Sequence, residues 1–219
     1  MKLQMVAELA KESVQSRGEV GHGADISSGD SLAVAVAKIA SSEITGIQEM
    51  LDNLDLAALQ RVATAIERAC QVLSFGVGAS QVGAADLSQK LRRIGRVSVG
   101  LVDAHDAVVS TAMLKPGDVA IAFSHGGRTR ESREVLRLAR DAGALAVAIT
   151  NVDDSPLTEQ ADEVLRTAVR ETTFRSGAMA SRIAQLTLVD YLFVAVLARR
   201  SYDQTAQALK ATYGSVQAL

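Results

Sequence analysis

The chain has 219 residues, 48% of them hydrophobic and 22% charged, enough to bury one sizeable α/β core and too apolar for a disordered polymer. Its formal net charge is −2 with a pI near 5.9, and aromatic residues are only 3% with no Trp. That balance excludes a broad nucleic-acid surface, which needs clustered Lys and Arg, and removes base-stacking platforms.

Met1 to about Ser16 reads as an amphipathic helix with Leu3, Val6, Leu9 and Ala10 on one side. It lacks the apolar core of a secretory signal. Gly18, Gly21, Gly23 and Gly29 then make a polar linker. Asp30-Ser31 caps a helix over Leu32–Leu51, whose apolar stripe is Leu32, Val36, Ile39, Ile44, Ile47 and Leu51. Asp55 caps a second over Leu56–Ala69. Cys70, the only cysteine, is expected as a small core residue at the head of the first strand. Neither it nor the three histidines have metal-ligand spacing, and no cofactor is expected.

From here short apolar runs alternate with amphipathic helices, the pattern of a parallel sheet covered on both faces. Strands are expected at Gln71–Phe75, Val97–Val102, Asp118–Phe123, Leu145–Thr150 and Val164–Arg166. Helices are expected at Ala79–Ile94, Ala104–Met113, Thr129–Ala142, Pro156–Gln160, Ala178–Ala198 and Ser201–Ala218. The fold class that follows is a three-layer, doubly wound α/β fold with a five-stranded parallel sheet and an N-terminal helical arm. The apolar run Ile183–Ala198 is interrupted by Gln185, Thr187 and Asp190 and is short for a membrane span. A cytoplasmic protein without membrane association is expected.

In such sheets ligands sit beyond the carboxyl ends of the strands. Gly76-Val77-Gly78-Ala79-Ser80 follows the first strand, but Gln81 stands where a dinucleotide fingerprint needs its third glycine, which argues against an NAD site. Gly78 and Ser80 suit a smaller phosphorylated ligand, or simply tight strand–helix packing. Ser124-His125-Gly126-Gly127-Arg128-Thr129 follows the third strand and opens a helix, a combination that gathers backbone N–H groups and hydroxyls around an anion. Ser155-Pro156 reads as a helix start. Glu171, after the last strand, is a candidate for sugar hydroxyls or proton transfer, or a partner of Arg175.

Together Gly76–Ser80, Ser124–Glu131, Ile149-Thr150-Asn151 with Ser155-Pro156-Leu157, and Arg175–Leu186 resemble a sugar isomerase (SIS) domain. More narrowly they resemble the effector domain of RpiR/MurR-type bacterial transcription regulators, over about Ser31 to Ala198. The resemblance implies a phosphosugar site of Gly78, Ser80, Ser124, His125, Gly126, Gly127, Thr129 and Glu171, without catalysis. It implies residues 1–30 as the last helix of a helix-turn-helix domain plus linker, and 31–219 as the SIS domain. DNA would then be met only through the rest of that missing domain. An isolated effector domain, a late start and a lost DNA-reading head all stay open.

The family loop reads Ser-x-Ser-Gly-x-Thr, and here the second serine is Gly126. The N–H groups of Gly126 and Gly127 can still form a nest, and Arg128 can add charge or simply face water. The alternative function on this fold is a phosphosugar isomerase or etherase, for which Glu171, Glu131, His105 and His125 are the candidate acid–base groups. Apolar residues on nearly every side of Ala178–Ala198 lead to the expectation of a homodimer or homotetramer.

Overall fold

Five short runs form the sheet by pairing in parallel with their neighbours; the central three are buried on both faces, and the two edge strands only partly so. The five are β1 (Val72–Gly76), β2 (Ser98–Leu101), β3 (Val119–Phe123), β4 (Leu145–Thr150) and β5 (Glu163–Arg166), in the order β2-β1-β3-β4-β5. The computed structural model describes residues 26–169 and 179–217. The expected N-terminal helix, Glu171 and Arg175–Gly177 lie outside the described residues. The helices are α1 (Leu32–Asp52), α2 (Leu56–Arg68), α3 (Ser80–Arg93), α4 (Ala104–Ala112), α5 (Arg130–Asp141), α6 (Met179–Leu197) and α7 (Tyr202–Gln217), with a 3₁₀ turn at Thr158–Gln160.

Alternation along the strands separates two cores. Val72, Val119, Ile121, Phe123 and Ile149 meet Ile66 of α2, Leu87 and Leu91 of α3, and Leu188 and Leu192 of α6. On the other face Leu73, Phe75, Ala120 and Ala122 meet Ala107 of α4 and Leu136 and Ala139 of α5. The layers are therefore helix, sheet, helix, the expected fold class. Every strand begins and ends within two residues of its expected limits.

Three expectations need correction. Cys70 is exposed, in the turn before β1, while Ala69 takes the buried position and Gln71 is held by Asp118. The segment at Pro156–Gln160 is a single 3₁₀ turn over Thr158–Gln160, nucleated by Ser155, whose Oγ accepts from the Thr158 N–H. The apolar stripe of α1 is largely outward: Leu32 is 81% exposed, and Val36, Ile44 and Leu51 are exposed too. Gly46 and Met50 make the buried contacts instead. Gly46 lets α1 approach Val169 so closely that an added Cβ would lie 3.0 Å from its Cγ1.

Within α6, Ala180–Leu197 is long and apolar enough to cross a membrane by length and composition. Its contacts are those of a core helix, since Leu188, Leu192 and Val196 are fully buried against the sheet and its companion helices.

On α5, hydrogen bonds from the Arg137 guanidinium hold the Glu134 carboxyl below its ordinary value, helped by the charges of Arg137, Arg130 and Arg133. A carboxyl lowered in the folded state stabilises above its unfolded pKa and loses that contribution as the pH falls through its folded value. Glu134→Gln is therefore expected to lower the melting temperature slightly at neutral pH and leave it unchanged in acid, so that the acid limb of the stability–pH curve flattens, as pH-scanned thermal unfolding would show.

Candidate functional site

The strand order reverses between β1 and β3, which places the turn after each side by side at the carboxyl edge of the sheet. The β1 turn is built on two glycines with different reasons. At Gly76 an added Cβ would stand 2.6 Å from the Ser80 carbonyl oxygen, so α3 packs its first turn directly on the strand end. Gly78 has φ +60 with open space around it, so its need is conformational. Ser80 and Gln81 close this turn by donating their N–H groups to Val77 and Gly78.

The β3 turn differs. Ser124 is buried, its N–H donating to the Ile149 carbonyl and its Oγ lying 2.9 Å from Thr129 Oγ1. The His125 carbonyl accepts from the Asn151 N–H at 3.0 Å and the Thr150 hydroxyl at 3.1 Å, which ties the loop to the end of β4. Gly127, at φ +63, donates its N–H to the Ser124 carbonyl, and its own carbonyl accepts from the Leu157 N–H. The expectation that the Gly127 N–H faces an anion is therefore corrected. That group is spent inside the turn, and the residue's part is to shape it. Gly126 is exposed, and nothing lies within 4 Å of where its Cβ would be.

The decisive feature is capping. Ser31, Asp55 and Asp103 each accept a first-turn N–H of α1, α2 and α4. Thr129 makes no such bond to α5, because its hydroxyl is turned to Ser124. Among the described residues, no hydrogen bond takes the N–H groups of Gly126, Arg128, Thr129, Arg130, Glu131 or Ser132. Open donors, the positive end of a helix dipole and two buried or half-buried hydroxyls make a seat for an anion. Arg128 and Arg130 stand exposed beside it.

The other candidates divide. Ser80 is buried at the same edge. His125 is half-buried within the β3 turn. His105 is an exposed residue of the first turn of α4, its N–H held by Asp103, which is the ordinary helix-start role. Thr150, Asn151 and Ser155 serve the framework: Asn151 Oδ1 accepts from the Val169 N–H at 2.6 Å and Thr167 Oγ1 at 3.2 Å. One residue escapes sequence reasoning altogether. Gln185 of α6 donates from Nε2 to Ser80 Oγ at 3.2 Å, across 105 positions of sequence. The only hint in the sequence is an amide interrupting the apolar run of α6.

Comparison with known proteins now bears on this edge. The family model described as the SIS domain matches residues 65–195. A curated relative, an uncharacterized HTH-type transcriptional regulator of Caldanaerobacter subterraneus subsp. tengcongensis, is 35% identical over 97% of this chain and 73% of its own length. The solved structure of the Vibrio vulnificus NanR protein complexed with ManNAc-6P is 29% identical, with a TM-score of 0.78 over 86% of this chain and 69% of that one. The sugar isomerase domain of the RpiR transcription factor from Sphaerobacter thermophilus is 22% identical, with a TM-score of 0.73 over 84% and 98%, and so shares the fold. Structures named as putative phosphosugar isomerases share the fold as well, at 20–23% identity. By the span of the family model and the identity to that relative, the chain belongs to the SIS-domain family, in the form that HTH-type transcriptional regulators carry.

Proposed function

We propose that this chain is the phosphosugar-sensing effector domain of an RpiR-type regulator, and that it modulates DNA binding by a helix-turn-helix domain without turning its ligand over. The observation that carries the reading is the uncapped N-terminus of α5 at the sheet's switch point, in a protein that caps α1, α2 and α4 with side chains. The phosphate takes the open N–H groups of Gly126 and of Arg128 to Ser132, with the hydroxyls of Ser124, Thr129 and Ser80 around it. Gly78 and Gly127 set the two turns, His125 borders the seat, and Glu171 meets the sugar. The regulator naming of the 35%-identical relative supports sensing over catalysis, and the ManNAc-6P bound to NanR makes phosphorylated amino sugars the first class to try. The outward stripe of α1 supports a homodimer, with a tetramer as the larger assembly.

The test is thermal unfolding with a panel of hexose and N-acetylhexosamine phosphates against their unphosphorylated sugars, followed by a turnover assay on each compound that raises the melting temperature. A shift that needs the phosphate, without turnover, is the expected result. No shift across the panel overturns the reading, and isomerisation of a bound compound replaces it with the enzyme.

Gly126→Ser restores the hydroxyl of the family loop into open space. It is expected to leave stability within about 0.5 kcal/mol, as surface changes do. One added hydrogen bond to a charged ligand tightens sugar-phosphate binding by roughly tenfold. Calorimetric titration checks this; unchanged affinity would mean that backbone N–H groups already saturate the phosphate.

A further inference from the structure

The Ser80–Gln185 hydrogen bond joins two buried polar groups of different elements. Ser80 is 9% exposed and begins α3; Gln185 is 2% exposed and lies in α6 among Ala184, Leu188 and Val189. Burying an amide in apolar surroundings is unfavourable unless it finds a partner. Ser80 is that partner, and the approach that allows it is built in. At Gly83, one turn along α3, an added Cβ would lie 3.5 Å from Gln185 Cβ and 3.1 Å from the Phe123 ring. The glycine brings α6 and β3 close to α3, and so brings the amide within reach of the hydroxyl.

The direction of the bond matters more than its existence. A serine hydroxyl carries one proton and two lone pairs, and it can present either to a ligand. The Gln185 N–H occupies a lone pair of Ser80, and an amide nitrogen cannot accept the Ser80 hydroxyl proton in return. A phosphate dianion, conversely, offers only acceptors. We infer that Gln185 is a positioning residue that sets Ser80 as a hydrogen-bond donor toward the phosphate, so that α6 takes part in recognising an anion it does not touch. This rests on the phosphosugar reading above and adds the residue that polarises its site.

The experiment uses inorganic phosphate, the moiety at issue, titrated at constant ionic strength into the full chain. Gln185→Glu exchanges the donor for an acceptor that competes for the Ser80 proton and adds negative charge. It is expected to weaken phosphate by at least about tenfold, the scale of a charged hydrogen bond. Gln185→Leu frees the hydroxyl and is expected to weaken binding about threefold to tenfold in the wild-type background, and not at all in Ser80→Ala, since coupling is what a double-mutant cycle isolates. The Gln185 side-chain amide protons, assigned by their loss in Gln185→Leu, are expected to shift on phosphate addition in the wild type. A purely structural glutamine would lower the melting temperature of both backgrounds equally and leave phosphate affinity unchanged, which overturns the inference. If Gln185→Glu does not fold, the Leu cycle decides alone. A wild-type chain that ignores phosphate overturns the anion seat itself, whereas a wild type that binds while the cycle shows no coupling overturns only the part given to Gln185.

Discussion

Gly127→Ala is expected to lower the melting temperature by roughly 6–12 °C, from a loss of about 3 kcal/mol in a chain of this size. Two costs combine. A left-handed backbone costs a residue with a Cβ about 1–2 kcal/mol, and Gly127 sits at φ +63. The new Cβ would also stand 2.2 Å from Ser155 Oγ and 2.5 Å from Ser155 Cβ, and overpacking of that kind costs about 1–3 kcal/mol. Ser155 cannot step aside easily, because its Oγ accepts from the Thr158 N–H and its residue is buried. The loop would have to move instead, breaking the bond from the Leu157 N–H to the Gly127 carbonyl and opening the turn that Gly127 closes onto Ser124. The same variant should therefore lose its response to sugar phosphate. Gly143→Ala is the control. It too is left-handed, at φ +76, but it stands in the exposed turn between α5 and β4, at the opposite edge of the sheet. It should lower the melting temperature by less and keep the ligand response. Thermal unfolding of both variants with and without ligand checks the pair, and a ligand response surviving in Gly127→Ala would remove the β3 turn from the site.

Ser124→Ala is expected to weaken sugar-phosphate binding about tenfold to hundredfold, the worth of one hydrogen bond to a charged acceptor. The effect on folding should be smaller, because among the described residues the hydroxyl bonds Thr129 alone, whose half-buried side chain keeps access to water. Ser124 and Thr129 act as a pair: with 2.9 Å between the oxygens, one hydroxyl donates to the other, and the accepting one keeps its own proton for the ligand. Thr129→Val should therefore cost as much as Ser124→Ala, and the double variant should cost less than the sum. Titration calorimetry on the three proteins decides this. Affinities within twofold of the wild type in both single variants would place the phosphate elsewhere.

The sheet was legible in the sequence for a simple reason: a strand buried on both faces reads as an unbroken apolar run, as Val119–Phe123 and Leu145–Thr150 do. The turns were legible because glycines and hydroxyls cluster there. What the linear order hides is which groups are already occupied. Gly126 and Gly127 are equivalent as letters, yet the fold spends one N–H on Ser124 and leaves the other open. Cys70 looked like core because it borders an apolar run, but the chain is still turning there and the first paired residue is Val72. The stripe of α1 shows hydrophobic periodicity faithfully without saying what covers it. Gln185 was beyond reach, since nothing local ties it to a serine 105 positions earlier in the chain.

The adjacency of β1 and β3 has a mechanical consequence. The two turns of the proposed site are the ends of neighbouring strands held in continuous register from Val72 beside Val119 to Gly76 beside Phe123. A ligand bridging them cannot change their spacing without breaking the ladder between them, so the sheet acts as a stiff anvil. Whatever displacement binding produces must pass into the elements laid across it. Ser80 is gripped by α6, and α6 lies against α1, the first described helix, on the side of the chain that leads back to the N-terminus. On the proposed reading, a change at Ser80 would therefore be felt first by α6 and α1 rather than by the sheet.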